Sequence, residues 1–111
     1  MDIRKEEFSA DNSFSLKESI VYSENAIVSK LVIKKATGNI TLFAFDKDQE
    51  LSEHTAPYDA LVQVLEGEVV ITINKIEYLL PEGLSIMMPA NIPHGLRAVK
   101  RFKMLLTMIK S

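Results

Sequence analysis

The hydrophobic and polar positions of this chain alternate over short stretches and do not recur at helical spacing. From Phe14 onward, runs of β-branched and aromatic residues are bounded by residues that favour turns, a pattern typical of β-strands. The pattern predicts eight strands, at residues 19–22, 27–33, 40–45, 60–65, 68–73, 76–80, 84–88 and 101–109. No helix of ordinary length is predicted, so the fold class is all-β, a sandwich or a barrel.

The residues between the predicted strands suit tight turns. Gly67 and Gly83 can adopt positive φ at hairpin corners without a steric penalty. Asp48 and Asn91 belong to the few residue types that tolerate the left-handed region. We therefore expect left-handed backbone at these four positions.

The last predicted strand is apolar on both faces. Its even-numbered side chains, from Phe102 to Met108, are expected to fill the interior, while Leu105 and Ile109 face the other side. An exposed apolar face often marks an interface. Because a chain this short has little left over to cover that face, the pattern predicts a homodimer formed by sheet packing.

Composition narrows the class of protein and its partners. The 111 residues, 47% hydrophobic and 25% charged, suit one globular domain, predicted at residues 14–111 after an N-terminal arm or short helix at 1–13. A net charge of −2 argues against nucleic acid as a partner. The chain lacks cysteine, a signal-peptide pattern and a membrane span, which predicts a cytoplasmic protein that does not bind membranes.

The chain has two histidines, His54 and His94, and each lies where a predicted strand meets a turn. A lone histidine is more often a surface or hydrogen-bonded residue than a ligand. The spacing of the residues around His54 and His94 nevertheless favours a role in ligand binding.

Residues 48–98 resemble the two motifs of the cupin superfamily. The spacing of the first motif falls on Asp48, His54, Ala56, Ala60 and Gly67, and that of the second on Gly83, Pro89, Asn91, His94 and Ala98. The resemblance implies a single-domain jelly-roll β-barrel with a pocket at its open end. It also implies a divalent metal, which typical members hold through three histidines and a glutamate.

Only half of that ligand set is present in this sequence. His54 and His94 match the first and last histidines of the family, whereas Ala56 and Ala60 stand where the second histidine and the glutamate belong. A divalent transition metal (Zn, Ni, Mn or Fe) held by His54 and His94 would therefore need a third donor. The candidates are Glu53, Tyr58, Asp59 and Gln63. Strand parity places Tyr58 on the same face as Ala60, and it places Asp59 and Gln63 on the opposite face unless a bulge intervenes.

Three functions are compatible with these residues. The first is binding of a small molecule in the barrel pocket, with imidazoles that orient the ligand or exchange protons. The second is a metal-dependent enzyme of the dioxygenase, isomerase or lyase type, and the third is a dimeric structural or interaction module. The predicted pocket residues are His54, His94, Ala56, Ala60, Val62, Met88 and Met104.

Overall fold

A computed structural model describes residues 7–110, which form nine strands and one short 3-10 helix, Lys17–Ser19. The strands are β1 (Ile27–Lys35), β2 (Gly38–Phe45), β3 (Glu50–His54), β4 (Tyr58–Glu66), β5 (Glu68–Ile73), β6 (Ile76–Pro81), β7 (Ser85–Met88), β8 (His94–Ala98) and β9 (Phe102–Lys110). No helix among these residues is long and apolar enough to cross a membrane.

The nine strands form two antiparallel sheets. The first contains five strands in the order β1, β2, β9, β4, β7, and the second contains four in the order β3, β8, β5, β6. Their inner faces enclose one core, in which Phe45, Val62, Ile71 and Phe102 are fully buried. This arrangement is a jelly-roll, or double-stranded β-helix, and confirms the predicted all-β fold class.

Seven of the eight predicted strands are present, and the prediction at residues 19–22 is wrong. The chain there follows the 3-10 helix in an extended path that pairs with no strand. Ile20 is buried on the outer side of the five-stranded sheet, while Val21 is 74% exposed. The alternation that resembled a strand reflects a segment lying across a sheet.

The left-handed positions are confirmed. Asp48 and Asn91 have φ of 69° and 64°, and Gly67 and Gly83 have φ of 81° and 90°. The residue types at these turns therefore preserve the backbone path that the strands need.

The N-terminal residues from Phe8 to Tyr22 cover part of the outer face of the five-stranded sheet. Phe8, Leu16 and Tyr22 pack against a second buried cluster, formed by Ile20, Leu42 and Ala44. We expected the chain to leave the outer face of the sheet uncovered, and this expectation is wrong for the part beneath the N-terminal segment. The homodimer stays a prediction, and residues 1–6 of the predicted arm lie outside the described residues.

Candidate ligand-binding site

His54 and His94 lie opposite each other on neighbouring strands β3 and β8. Leu51 pairs with Leu96, so three residues of β3 are matched to two of β8 before the histidines meet. An extra residue of this kind is a β-bulge, and it shifts the alternation of side chains by one position. The bulge therefore allows Leu51 and His54 to face the same side of the sheet, toward the barrel interior.

The two imidazole rings are in contact, with centroids 4.4 Å apart and an edge-to-face angle of 65°. His54 Nδ1 lies 2.8 Å from the Ser52 carbonyl oxygen, and His94 Nδ1 lies 3.0 Å from that of Ile92. Because a carbonyl oxygen only accepts, each Nδ1 carries the hydrogen. A neutral ring then leaves Nε2 as an acceptor, and within residues 7–110 neither Nε2 has a hydrogen-bond partner.

Both rings line a cavity of about 60 Å³ between the two sheets. His94 is buried, with 6% of its surface exposed, whereas His54 is exposed at the rim. The remaining wall is apolar apart from one phenol hydroxyl, and is formed by Leu51, Ala56, Tyr58, Ala60, Met88, Leu96, Met104, Leu106 and Met108. The site thus combines two adjacent imidazoles with an apolar enclosure.

Six of the seven residues predicted for the pocket lie together on this wall. The exception is Val62, which is fully buried in the core and does not line the cavity. Sequence reasoning missed Leu51 and Leu96, because the strands that carry them, β3 and β8, were not predicted. Their signal is weak, since β3 has four exposed residues among its five.

The loops at the rim are tied to each other by hydrogen bonds. The Asn91 amide donates to the Ala56 carbonyl oxygen at 2.8 Å, and the Ala90 amide donates to Asp59 Oδ1 at 3.0 Å. The Asn74 amide donates to the Pro93 carbonyl oxygen at 2.8 Å. Asp59 therefore fixes the loop that leads into β8.

The clearest pKa shifts belong to a different place, on the outer side of the five-stranded sheet. Burial, and then the hydrogen bond to Glu66, raise the pKa of Tyr22. The same hydrogen bond from Tyr22 lowers the pKa of the Glu66 carboxyl, and the charges of Lys103 and Lys17 act in the same direction. Lys103 Nζ also donates to the Lys17 carbonyl oxygen at 2.6 Å. These groups hold the N-terminal segment and do not contribute to the cavity.

Comparison with known proteins identifies the family. The sequence profile of the cupin domain matches residues 41–110 of this chain. The chain belongs to the cupin family. Among curated proteins none matches it.

Solved structures support the same assignment for this cupin. A conserved protein of unknown function from Streptococcus pyogenes is 36% identical, with a TM-score of 0.88 over 93% of this chain and 90% of that one. A cupin superfamily protein from Desulfitobacterium hafniense is 28% identical, with a TM-score of 0.89 over 98% and 100%. A cupin 2 conserved barrel domain protein from Leptotrichia buccalis is 40% identical, with a TM-score of 0.85 over 87% of this chain and 47% of that one.

The donor groups of this cupin do not fit a metal site of three histidines and a glutamate. No cluster of three or more His, Cys, Asp or Glu side chains suited to a metal occurs within residues 7–110. Of the four candidates for a third donor, only Tyr58 lines the cavity. Ala56 and Ala60 lie on the cavity wall with the histidines. Methyl groups therefore stand where the family has its second histidine and its glutamate.

Proposed function

We propose that this cupin binds a small organic molecule in the cavity beside His54 and His94, and that the two imidazoles orient it directly. One observation carries the proposal: both Nδ1 atoms are engaged with backbone carbonyls, while neither Nε2 atom has a hydrogen-bond partner among residues 7–110, and both rings line an apolar cavity. An apolar enclosure with a few convergent polar groups is the usual form of a small-molecule site.

The size of the cavity limits what it encloses. Sites for drug-sized ligands usually exceed about 300 Å³, whereas this cavity has about 60 Å³. The ligand is therefore either only a few atoms in size or inserts one end, with the remainder outside the rim near His54. Flexible Met88, Met104 and Met108 on the wall suit modest adjustment of the shape.

The experiment that tests this function is a screen of small neutral compounds by ¹H–¹⁵N NMR. We expect some compounds to shift the amide resonances of β3, β4 and β8. Ala56→Leu, which fills the cavity from a rim loop, should abolish these shifts. Ala36→Leu is the matched control, because Ala36 lies exposed in the β1–β2 turn. The proposal is wrong if no compound shifts these resonances, or if Ala56→Leu leaves binding unchanged.

The second candidate function, a metal-dependent enzyme, remains a prediction. Elemental analysis tests whether the protein holds the metal that this function needs. The purified protein and its His54→Ala/His94→Ala variant are compared for Zn, Ni, Mn and Fe per chain. A nearly equimolar metal that is lost in the variant would favour the enzyme over direct binding of an organic ligand.

The proposed assembly is a homodimer in the cytoplasm. Its support is the part of the outer sheet face that the N-terminal segment leaves bare, where Ile33, Met87 and Ile109 are 44%, 55% and 59% exposed. Ile33 and Ile109 also border a groove of about 280 Å³ on this face. Packing of two such faces would remove this apolar surface from water.

A further inference from the structure

We infer that the ligand of the cavity is a neutral compact molecule with two adjacent hydrogen-bond donors, such as a vicinal diol. This inference rests on the proposed function and names the class of ligand.

Two backbone carbonyls set the direction of the hydrogen bonds at the histidine rings. The Ser52 and Ile92 carbonyl oxygens accept from the two Nδ1 atoms at 2.8 and 3.0 Å. In the neutral rings this leaves His54 Nε2 and His94 Nε2 as acceptors. A ligand group that only accepts, such as an ester carbonyl, an ether or a carboxylate, therefore finds no complementary donor on either neutral imidazole.

The two imidazole rings are in contact on the cavity wall, with centroids 4.4 Å apart. From this proximity we infer that hydroxyls on neighbouring atoms of one molecule donate to both rings at once. A single hydroxyl would leave one Nε2 unpaired when the ligand displaces water, and an unpaired buried polar group is costly. This cost falls mainly on His94, which is 6% exposed.

The rest of the wall is apolar except for Tyr58. Ala60, Met88, Met104 and Leu106 surround the histidines with hydrocarbon and thioether groups. While both imidazoles are neutral, a charged ligand would lose its hydration there without gaining an opposite charge from this wall. The wall thus favours an uncharged ligand with an apolar side.

The test compares two probes with five non-hydrogen atoms each. Propane-1,2-diol has two adjacent donors, whereas methyl acetate only accepts. NMR titrations of the protein with EDTA present give both dissociation constants and exclude bridging by a metal. We expect the diol to bind about tenfold or more tightly than methyl acetate, since two hydrogen bonds distinguish them. The diol, but not methyl acetate, should also shift the imidazole ¹⁵Nε2 resonances.

A variant connects this preference to one ring. His54→Phe keeps an aromatic ring at the exposed rim position and removes the acceptor, so it should weaken diol binding about three- to tenfold. Any change in the binding of methyl acetate should be smaller than the change for the diol.

The outcomes separate the two proposals. Equal binding of both probes in the cavity would overturn the donor requirement and leave the proposed function in place. Tighter binding of methyl acetate than of the diol would do the same. If the diol does not bind while other neutral compounds do, the ligand class is again wrong. If no compound enters the cavity, the proposed function itself is wrong.

Discussion

At the scale of single residues, the site differs from the family's metal centre by two alanines. Ala56 and Ala60 share the cavity wall with both histidines, so the positions for four ligands are present while two of the four donors are missing. The retained imidazoles are held by backbone carbonyls and by contact with each other. This arrangement predicts that metal affinity depends on the identity of residues 56 and 60.

Ala56→His combined with Ala60→Glu should restore a metal site. We expect the double variant to bind about one divalent ion per chain, since three histidines and a carboxylate satisfy zinc-like coordination. Isothermal titration with Zn²⁺ after EDTA treatment measures the gain, and the amide spectrum checks the fold. Ala26→His/Ala36→Glu is the control, with the same substitutions away from the cavity. Equal affinity in the natural protein and the double variant would contradict this reading.

The residues also show which parts of the site sequence could predict. His54, His94, Ala56 and Ala60 followed from motif spacing, which the fold preserves. The side on which Leu51 faces could not be predicted, because an odd spacing of three residues to His54 implies opposite faces in a regular strand. Only the bulge in β3 brings both inside, and a bulge is set by pairing with β8.

At the scale of elements, the N-terminal segment depends on a polar contact with the five-stranded sheet. Tyr22 donates a hydrogen bond to Glu66, and its ring lies 5.1 Å from the Arg101 guanidinium carbon and 5.3 Å from Lys103 Nζ. The wrong strand prediction at 19–22 has its cause here. Alternation arises whenever one side of an extended segment is buried, whether or not the segment pairs with a strand.

Tyr22→Phe should lower the free energy of unfolding by about 1 kcal/mol at pH 7, because it removes this hydrogen bond and keeps the ring. The pKa of Glu66 is lowered in the folded state from an ordinary 4.5. The stabilisation is therefore fully present above that pH and is lost as the pH falls through the lower folded value.

Urea denaturation of the natural protein and the variant at several pH values measures this difference. Tyr78→Phe is the matched control, because Tyr78 is 39% exposed and has no hydrogen bond within residues 7–110. A loss of stability that is equal for both variants, or that stays constant down to low pH, would exclude Glu66 as the cause.

At the scale of the whole molecule, the five-stranded sheet has two different surfaces. Its inner face carries Ala60, Met88 and Met104 of the cavity wall. Its outer face is covered at one end by residues from Phe8 to Tyr22 and leaves Ile33 and Ile109 exposed elsewhere. The proposed ligand site and the proposed dimer surface thus lie on opposite sides of one sheet.

Ile109→Lys should convert the proposed dimer into a monomer, because it places a charge in an apolar contact. Sedimentation velocity at several protein concentrations measures the change in mass. Leu79→Lys is the matched control, since Leu79 is also 59% exposed but lies on β6 of the other sheet. A natural protein that sediments as a monomer, or dissociation by both variants alike, would contradict packing through this face.

The bulge that aims His54 has a further consequence for how the protein behaves at high concentration. β3 is an outer strand of the four-stranded sheet, and an open strand edge is a template on which another chain can add and begin an aggregate. The irregularity between Leu51 and His54 interrupts the regular row of backbone groups at that edge. The extra residue that turns His54 toward the cavity therefore also makes the β3 edge a poorer template for the addition of another chain.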